Sequence, residues 1–183
     1  QVRTLAAQPE AIMASCGADS VYDDEVRQCM WHTDRIRFAD LLRSRVPAAH
    51  PSSFLLRRSR LLDEVGLVSE EIPGGYGEDY ELLLRIARRA PIAYARELGV
   101  RVRVQGRVSH FHGRWRTIAE AHQWLLERYP EFGTTRRGFA RLAGQVAFSR
   151  AALGEHRAAL GWAWRALPRS PLEPRSYIVV AMA

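Results

Sequence analysis

The sequence has no lysine. All 27 basic residues are arginine, and against 20 acidic residues they leave a formal net charge of +7. Every positive side chain is therefore a guanidinium, a planar fork suited to carboxylates and phosphates. A GC-rich coding sequence produces the same skew without a functional cause. The basic balance favours anionic partners such as nucleotides, acidic polysaccharides, nucleic acid or a membrane surface, and does not choose among them. Cysteine is scarce too. Cys16 and Cys29 have neither metal nor redox spacing and form no secreted disulfide framework, so both are expected to be reduced. No apolar run approaches the roughly 18 to 20 residues that span a bilayer, and no signal peptide opens the chain. The expectation is a soluble, cytoplasmic piece, or one attached peripherally at the inner membrane face. An initiating Met is also missing. The opening "QVRTLAAQPEAIMASCG" reads as interior sequence, so the chain is expected to be a fragment.

What is present suits a globular fold, since 183 residues at 47% hydrophobic can bury one core with a smaller appended unit. Leu5 to Ser15 reads as a short helix stopped by Gly17. Asp19 to Arg27 reads as an exposed strand and a turn. "FADLLRSR" is a short helix, "SSFLLRR" has the apolar density of a buried strand, and "SRLLDEVG" is a helix that Gly66 ends. Tyr80, Leu83, Leu84 and Ala87 recur at helical spacing, giving a helix of about three turns. "IAYARE" and "VRVRV" are two strand-like runs around Gly99, the second alternating Val and Arg like a half-buried strand. From Arg114 onward only helical patterns remain.

The stretch "IPGGYGEDYELLLRIARR" places Glu78 and Asp79 behind a glycine-rich turn. Acidic residues are favourable in the first turn of any helix, where unpaired amides and the positive end of the dipole lie, and this alone accounts for the pair. The glycines add a second reading. Gly74, Gly75 and Gly77 allow an unusual backbone path that aims a carboxylate outward. A base accepting a proton from a sugar hydroxyl must be ionised and within hydrogen-bond reach, and a helix N-terminus helps to keep it ionised.

The segment "AAHPSSFLLRRSRLLDEVGLVSEEIPGGYGEDYELLLRIARRAPIAYARELGVRVRV", Ala48 to Val104, resembles the C-terminal half of the catalytic domain of family 2 glycosyltransferases, which have the GT-A fold. The likeness extends less clearly back to the start and on to Phe132. It implies an α/β class, a partial GT-A, Rossmann-like domain over 1–132, and an inverting transfer from a nucleotide-activated sugar donor to a glycan, lipid-linked or protein acceptor. It makes Asp79 the base that deprotonates the acceptor hydroxyl, with Glu78 beside it as acceptor ligand or orienting group. Arg85 would pair with a carboxylate or face the donor phosphates. His50, Ser52 and Ser53, on a loop before a strand, are candidate binding residues, as are Gly74, Gly75 and Tyr76. A His in such a loop is as readily a surface or packing residue.

The resemblance also implies a divalent cation, Mn or Mg, held by an upstream Asp-x-Asp and often by a later His. Asp23 and Asp24 fall too late in the order to be that motif, so the nucleotide-binding half and its main metal ligands are expected before Gln1. Relatives tend to have Trp-His-Gly where this chain reads Gln105-Gly106-Arg107. His112 is then the residue left for the metal, while His110 fits an alternating strand or loop equally well. A His-x-His pair could also hold zinc, but no third ligand stands at a convincing distance, and His122 lies on a later helix. Trp115, Trp124, Trp162 and Trp164 sit at helical spacings expected of core residues.

The tail, 133–183, contains helical hairpins with Gly154 at a turn, small residues at Ala158, Ala159 and Ala166, and prolines 168 and 171 as stops. It resembles a tetratricopeptide repeat plus the first helix of another; a simple helical cap reads equally well. Two competing functions follow. One is a non-catalytic interaction module that recruits a protein partner through this tail. The other, nucleic-acid binding through the arginines, lacks a recognition helix or aromatic platform, and no nucleic acid is expected.

Overall fold

A computed structural model describes residues 1–22, 25–104, 111–171 and 173–182. Asp23, Asp24, Gln105, Gly106, Arg107 and His110 lie outside the described residues. The protein is mixed α/β, with five strands in one mixed sheet among the described residues. The chain divides into two compact units, 1–69 with 79–109, and 70–78 with 110–183.

In the first unit a short helix α1 (Val2–Ala6) leads to the central strand β1 (Met13–Tyr22). This corrects the expected helix over Leu5 to Ser15. Residues 11–18 are all buried, and a short run that is apolar but for Ser15 carries no period to separate helix from strand. Pro9, which has no N–H to donate, also stands against helix in that stretch. Strand β2 (Glu25–Cys29) returns antiparallel to β1, pairing Ala18 with Cys29 and Ser20 with Arg27. Strand β3 (Arg35–Ile36) precedes helix α2 (Phe38–Arg43), where the Asp40 carboxylate accepts from the Arg37 N–H at 2.9 Å.

The "SSFLLRR" segment is mostly not strand. Pro51–Ser53 is a 3₁₀ turn, and only β4 (Leu55–Leu56) pairs with β1. Helix α3 (Arg58–Arg60) runs into a π turn over Leu61–Val65, closed by Gly66 at φ 87°. Helix α4 (Glu78–Arg89) buries Tyr80, Leu83, Leu84 and Ala87, the face expected from the spacing. Each fully buried Leu contributes about 1.5–3 kcal/mol relative to an exposed one.

The two strand-like runs around Gly99 are one strand, β5 (Ile92–Val104). It lies parallel to β1 from Ala14↔Ala93 to Tyr22↔Val104, with register shifts on both sides of Gly17. Gly17 and Gly99 are needed for close approach: a Cβ on Gly17 would lie 2.1 Å from Met30 Sδ, and one on Gly99 2.5 Å from Cys16 Sγ. At its start β5 also pairs antiparallel with β3.

The second unit is helical apart from its turns: α5 (Trp115–Arg128), α6 (Arg136–Ala152), α7 (His156–Ala166) and α8 (Pro174–Met182). Helix α6 packs against the other three. Small residues make this approach close, with Ala147, Ala151, Ala159 and Ala163 forming one buried cluster and Phe139, Ala140, Ala143 and Ala166 another. By its contacts α5 belongs with these helices. Trp115, Trp124 and Trp162 are half-buried, but Trp164 is 63% exposed and is not a core residue. No helix among the described residues is long and apolar enough to cross a membrane.

Candidate active site

The first unit contains a cavity of about 520 Å³. One face of the sheet supplies Ser20, Tyr22, Arg27, Cys29 and Val102, and the loop after α2 supplies Arg45, Val46 and His50. The N-terminal turn of α4 closes it with Asp79 and Tyr80. Tyr80 is buried, and its hydroxyl donates to the Leu41 carbonyl at 2.6 Å, tying this end of α4 to α2.

Asp79 and His50, both singled out by the sequence, thus line one cavity. The Asp79 carboxylate is 29% exposed, and its Oδ1 accepts from Arg45 Nη2 at 2.8 Å. Its Oδ2 has no partner among the described residues. His50 Nδ1 accepts the Ser52 N–H at 3.2 Å, which leaves the ring proton of the neutral imidazole on Nε2. Burial pushes His50 below its ordinary value, and the Asp79 carboxylate pulls it part of the way back. The cavity therefore presents a carboxylate oxygen able to accept a proton, a guanidinium able to bind an anion, and a neutral imidazole able to donate. Arg27 lies 6.0 Å from the Tyr22 ring centroid on its floor.

Sequence reasoning missed Arg45, which meets Asp79 from 34 positions away with no local signal. It also missed Val46, a buried β-branched residue held at φ 49°. Such a conformation costs about 1–3 kcal/mol and persists only where the surroundings impose it. Here the Val46 carbonyl accepts from the Ala49 N–H at 2.9 Å, closing the turn that delivers His50.

Other expected ligands have structural roles. Ser53 is 1% exposed, donates from Oγ to the His50 carbonyl at 2.7 Å and meets Ser15 Oγ at 2.6 Å. It fixes the His50 turn from behind and cannot touch a substrate. Ser52 is exposed. Arg85 pairs with a carboxylate, one of its two expected roles: Nε donates to both Glu81 oxygens at 2.8 and 2.9 Å, and Nη1 and Nη2 to the Val65 and Leu67 carbonyls, each at 2.8 Å.

Gly74, Gly75 and Tyr76 belong to the second unit. The glycines have φ of 60° and 69°, and a Cβ on Gly74 would meet Thr117 Cγ2 at 2.4 Å, so its smallness serves contact with α5. Tyr76 packs edge-on to Phe111, with centroids 4.9 Å apart, and 5.3 Å from His122. Glu78, also grouped with this unit, is exposed at the first position of α4.

His112 is exposed, with its ring 6.3 Å from that of Trp115. Among the described residues no group of three or more His, Cys, Asp or Glu stands close enough to hold a metal ion. A cation at Asp79 would also face the Arg45 guanidinium. The residues described do not fit a metal centre, and no step below passes through one. Cys16 and Cys29 are free thiols, the first buried and the second on the cavity floor. Comparison with family models, curated proteins and solved structures brought no match.

Proposed function

We propose that the chain is the acceptor-side part of a glycosyltransferase of the family 2, GT-A type, transferring a sugar from a nucleotide-activated donor to an acceptor hydroxyl with inversion. The reading rests on the motif order from Ala48 to Val104 and on one geometric observation. The Asp79 carboxylate, at the head of α4, lines a cavity of about 520 Å³ together with His50 and Arg45. In the proposed reaction Asp79 Oδ2 takes the proton of the acceptor hydroxyl. The acceptor oxygen then bonds to the anomeric carbon as the bond to the donor's diphosphate breaks. Arg45 holds Oδ1 and so fixes which oxygen faces the acceptor, and the His50 Nε2–H donates to a neighbouring hydroxyl. The donor-binding half, and the ligands of the Mn or Mg ion that the resemblance brings, would lie outside this chain. Replacing Asp79 by Asn in the full-length protein tests the reading: transfer from a nucleotide sugar should collapse, and unchanged transfer removes Asp79 from the base role.

A second reading, an interaction module with a tetratricopeptide-like tail, is favoured by the tight α6–α7 turn at Gly154, φ 76°, and by the exposed apolar residues Tyr177 and Ile178 on α8. Deleting Thr134 to Ala183 separates the two. Lost partner capture with transfer intact supports the module.

A further inference from the structure

In the helical unit, aromatic rings and guanidinium groups alternate. Arg165 Cζ lies 4.1 Å from the Trp162 ring centroid and 5.8 Å from that of Phe139, and Arg169 Cζ lies 4.1 Å from Phe139 on its own account. The order is Trp162, Arg165, Phe139, Arg169, a ladder joining the start of α6 to the end of α7. Arg136 reinforces that junction by donating from Nη2 to the Pro168 carbonyl at 2.9 Å. Arg137 is exposed beside it in sequence.

Four arginines therefore meet at one end of this unit. All four are exposed, and none has a carboxylate partner among the described residues. Elsewhere in the same unit Arg150 and Arg116 both pair with Glu155. Arg169 donates from Nη1 to the Arg165 carbonyl at 3.1 Å, but a guanidinium held against a ring keeps its other N–H edges available and has already lost much of its side-chain freedom, so it binds a phosphate oxygen with less further ordering. The Phe139 and Trp162 rings are engaged by guanidiniums and do not form an open platform for nucleic-acid bases. One residue before Arg165, Trp164 is 63% exposed. Exposed Trp with basic residues suits the interface of an anionic bilayer, where the indole enters the headgroup layer and the cations meet lipid phosphates.

We propose that Arg136, Arg137, Arg165, Arg169 and Trp164 form a docking site for the phosphate headgroups of an anionic membrane surface. The site is independent of the catalytic reading. The test is co-sedimentation of the full chain with vesicles one-third phosphatidylglycerol in phosphatidylcholine, against phosphatidylcholine alone. Binding should require phosphatidylglycerol and weaken as salt rises. Each charge near such a surface contributes roughly fivefold in partition, so Arg165→Gln with Arg169→Gln should reduce binding by roughly thirtyfold. Arg136→Gln with Arg137→Gln should do the same while leaving the ladder intact, and decides the matter if the first pair unfolds. Arg101→Gln with Arg103→Gln removes equal charge from β5 and should leave partition unchanged. Absence of phosphatidylglycerol-dependent binding overturns the proposal, as does an equal loss in the β5 pair. Tighter binding to a single-stranded RNA that depends on the same four arginines would also overturn it.

Discussion

On α4, Asp79 and Glu81 each have an arginine nitrogen at 2.8 Å, yet one pair faces a cavity and the other is sealed. The Glu81 side chain is 1% exposed, and Arg85 uses Nε, Nη1 and Nη2 on Glu81 and on the carbonyls that end the preceding turn. Asp79 keeps one oxygen free, and the side chain of its partner Arg45 is 45% exposed. Both carboxylates belong to the same helical start and look alike in a string of letters. What separates the two pairs is burial and the number of hydrogen-bonding positions left unfilled.

The strongest way to break this comparison is Asp79→Asn. If Asp79 is the base, transfer by the full-length protein should fall roughly 10²- to 10⁴-fold, while the thermal unfolding midpoint barely moves. Next comes the sealed pair. Arg85→Met takes two charge-assisted hydrogen bonds from a buried carboxylate and should cost about 3–5 kcal/mol in urea unfolding, whereas Arg45→Gln, which breaks an exposed pair, should cost about 1 kcal/mol or less. Equal losses would mean the two pairs do not differ as described. The serines sharpen the contrast at smaller scale. Ser53→Ala takes the partner from the buried Ser15 hydroxyl and one of two donors from the His50 carbonyl, and should cost about 1–3 kcal/mol; Ser52→Ala, at an exposed position, should stay within about 0.5 kcal/mol of the parent.

The smallest effect is on pH. Because burial lowers the His50 pKa in the folded protein, the unfolded chain binds a proton more readily. The stability that His50 contributes is therefore complete above its unfolded pKa, about 6.5, and is lost as pH falls from there toward the lower folded value. His50→Gln should flatten this part of the profile in denaturant titrations on either side of that pH. An unchanged profile would mean that His50 is not held neutral by its burial.

Much of the framework was legible. Helices α2, α4 and those of the tail follow the helical spacing of their apolar residues, and the sequence singles out both Asp79 and His50, which line one cavity. The rest was hidden for identifiable reasons. Strand β1 is buried on both faces, so its apolar run had no period to read. Ser52 and Ser53 are neighbours of the same type, and only the 3₁₀ turn decides which one is sealed. Arg45 meets Asp79 from 34 positions away in sequence, and the left-handed Val46 beside it contradicts its residue type. Long-range pairing and imposed strain leave no local trace.

The register shifts around Gly17 also change the reading frame of the sheet. From Cys16 to Ala18 β1 advances by two residues, while β5 advances by five, from Ala95 to Val100. The difference is odd, so the face shared with Ser20 and Tyr22 passes from the odd positions 93 and 95 to the even positions 100 and 102. Val102 consequently faces the cavity, and Arg101 turns to the opposite side, where it meets Asp19 at 3.6 Å. Had the register of Ala14↔Ala93 continued, Tyr22 would lie beside Arg101, and the arginines of β5 would share the cavity's side of the sheet. A three-residue slip in the strand, beside two glycines, thus gives the cavity a valine from β5 and keeps Arg101 on the other side of the sheet.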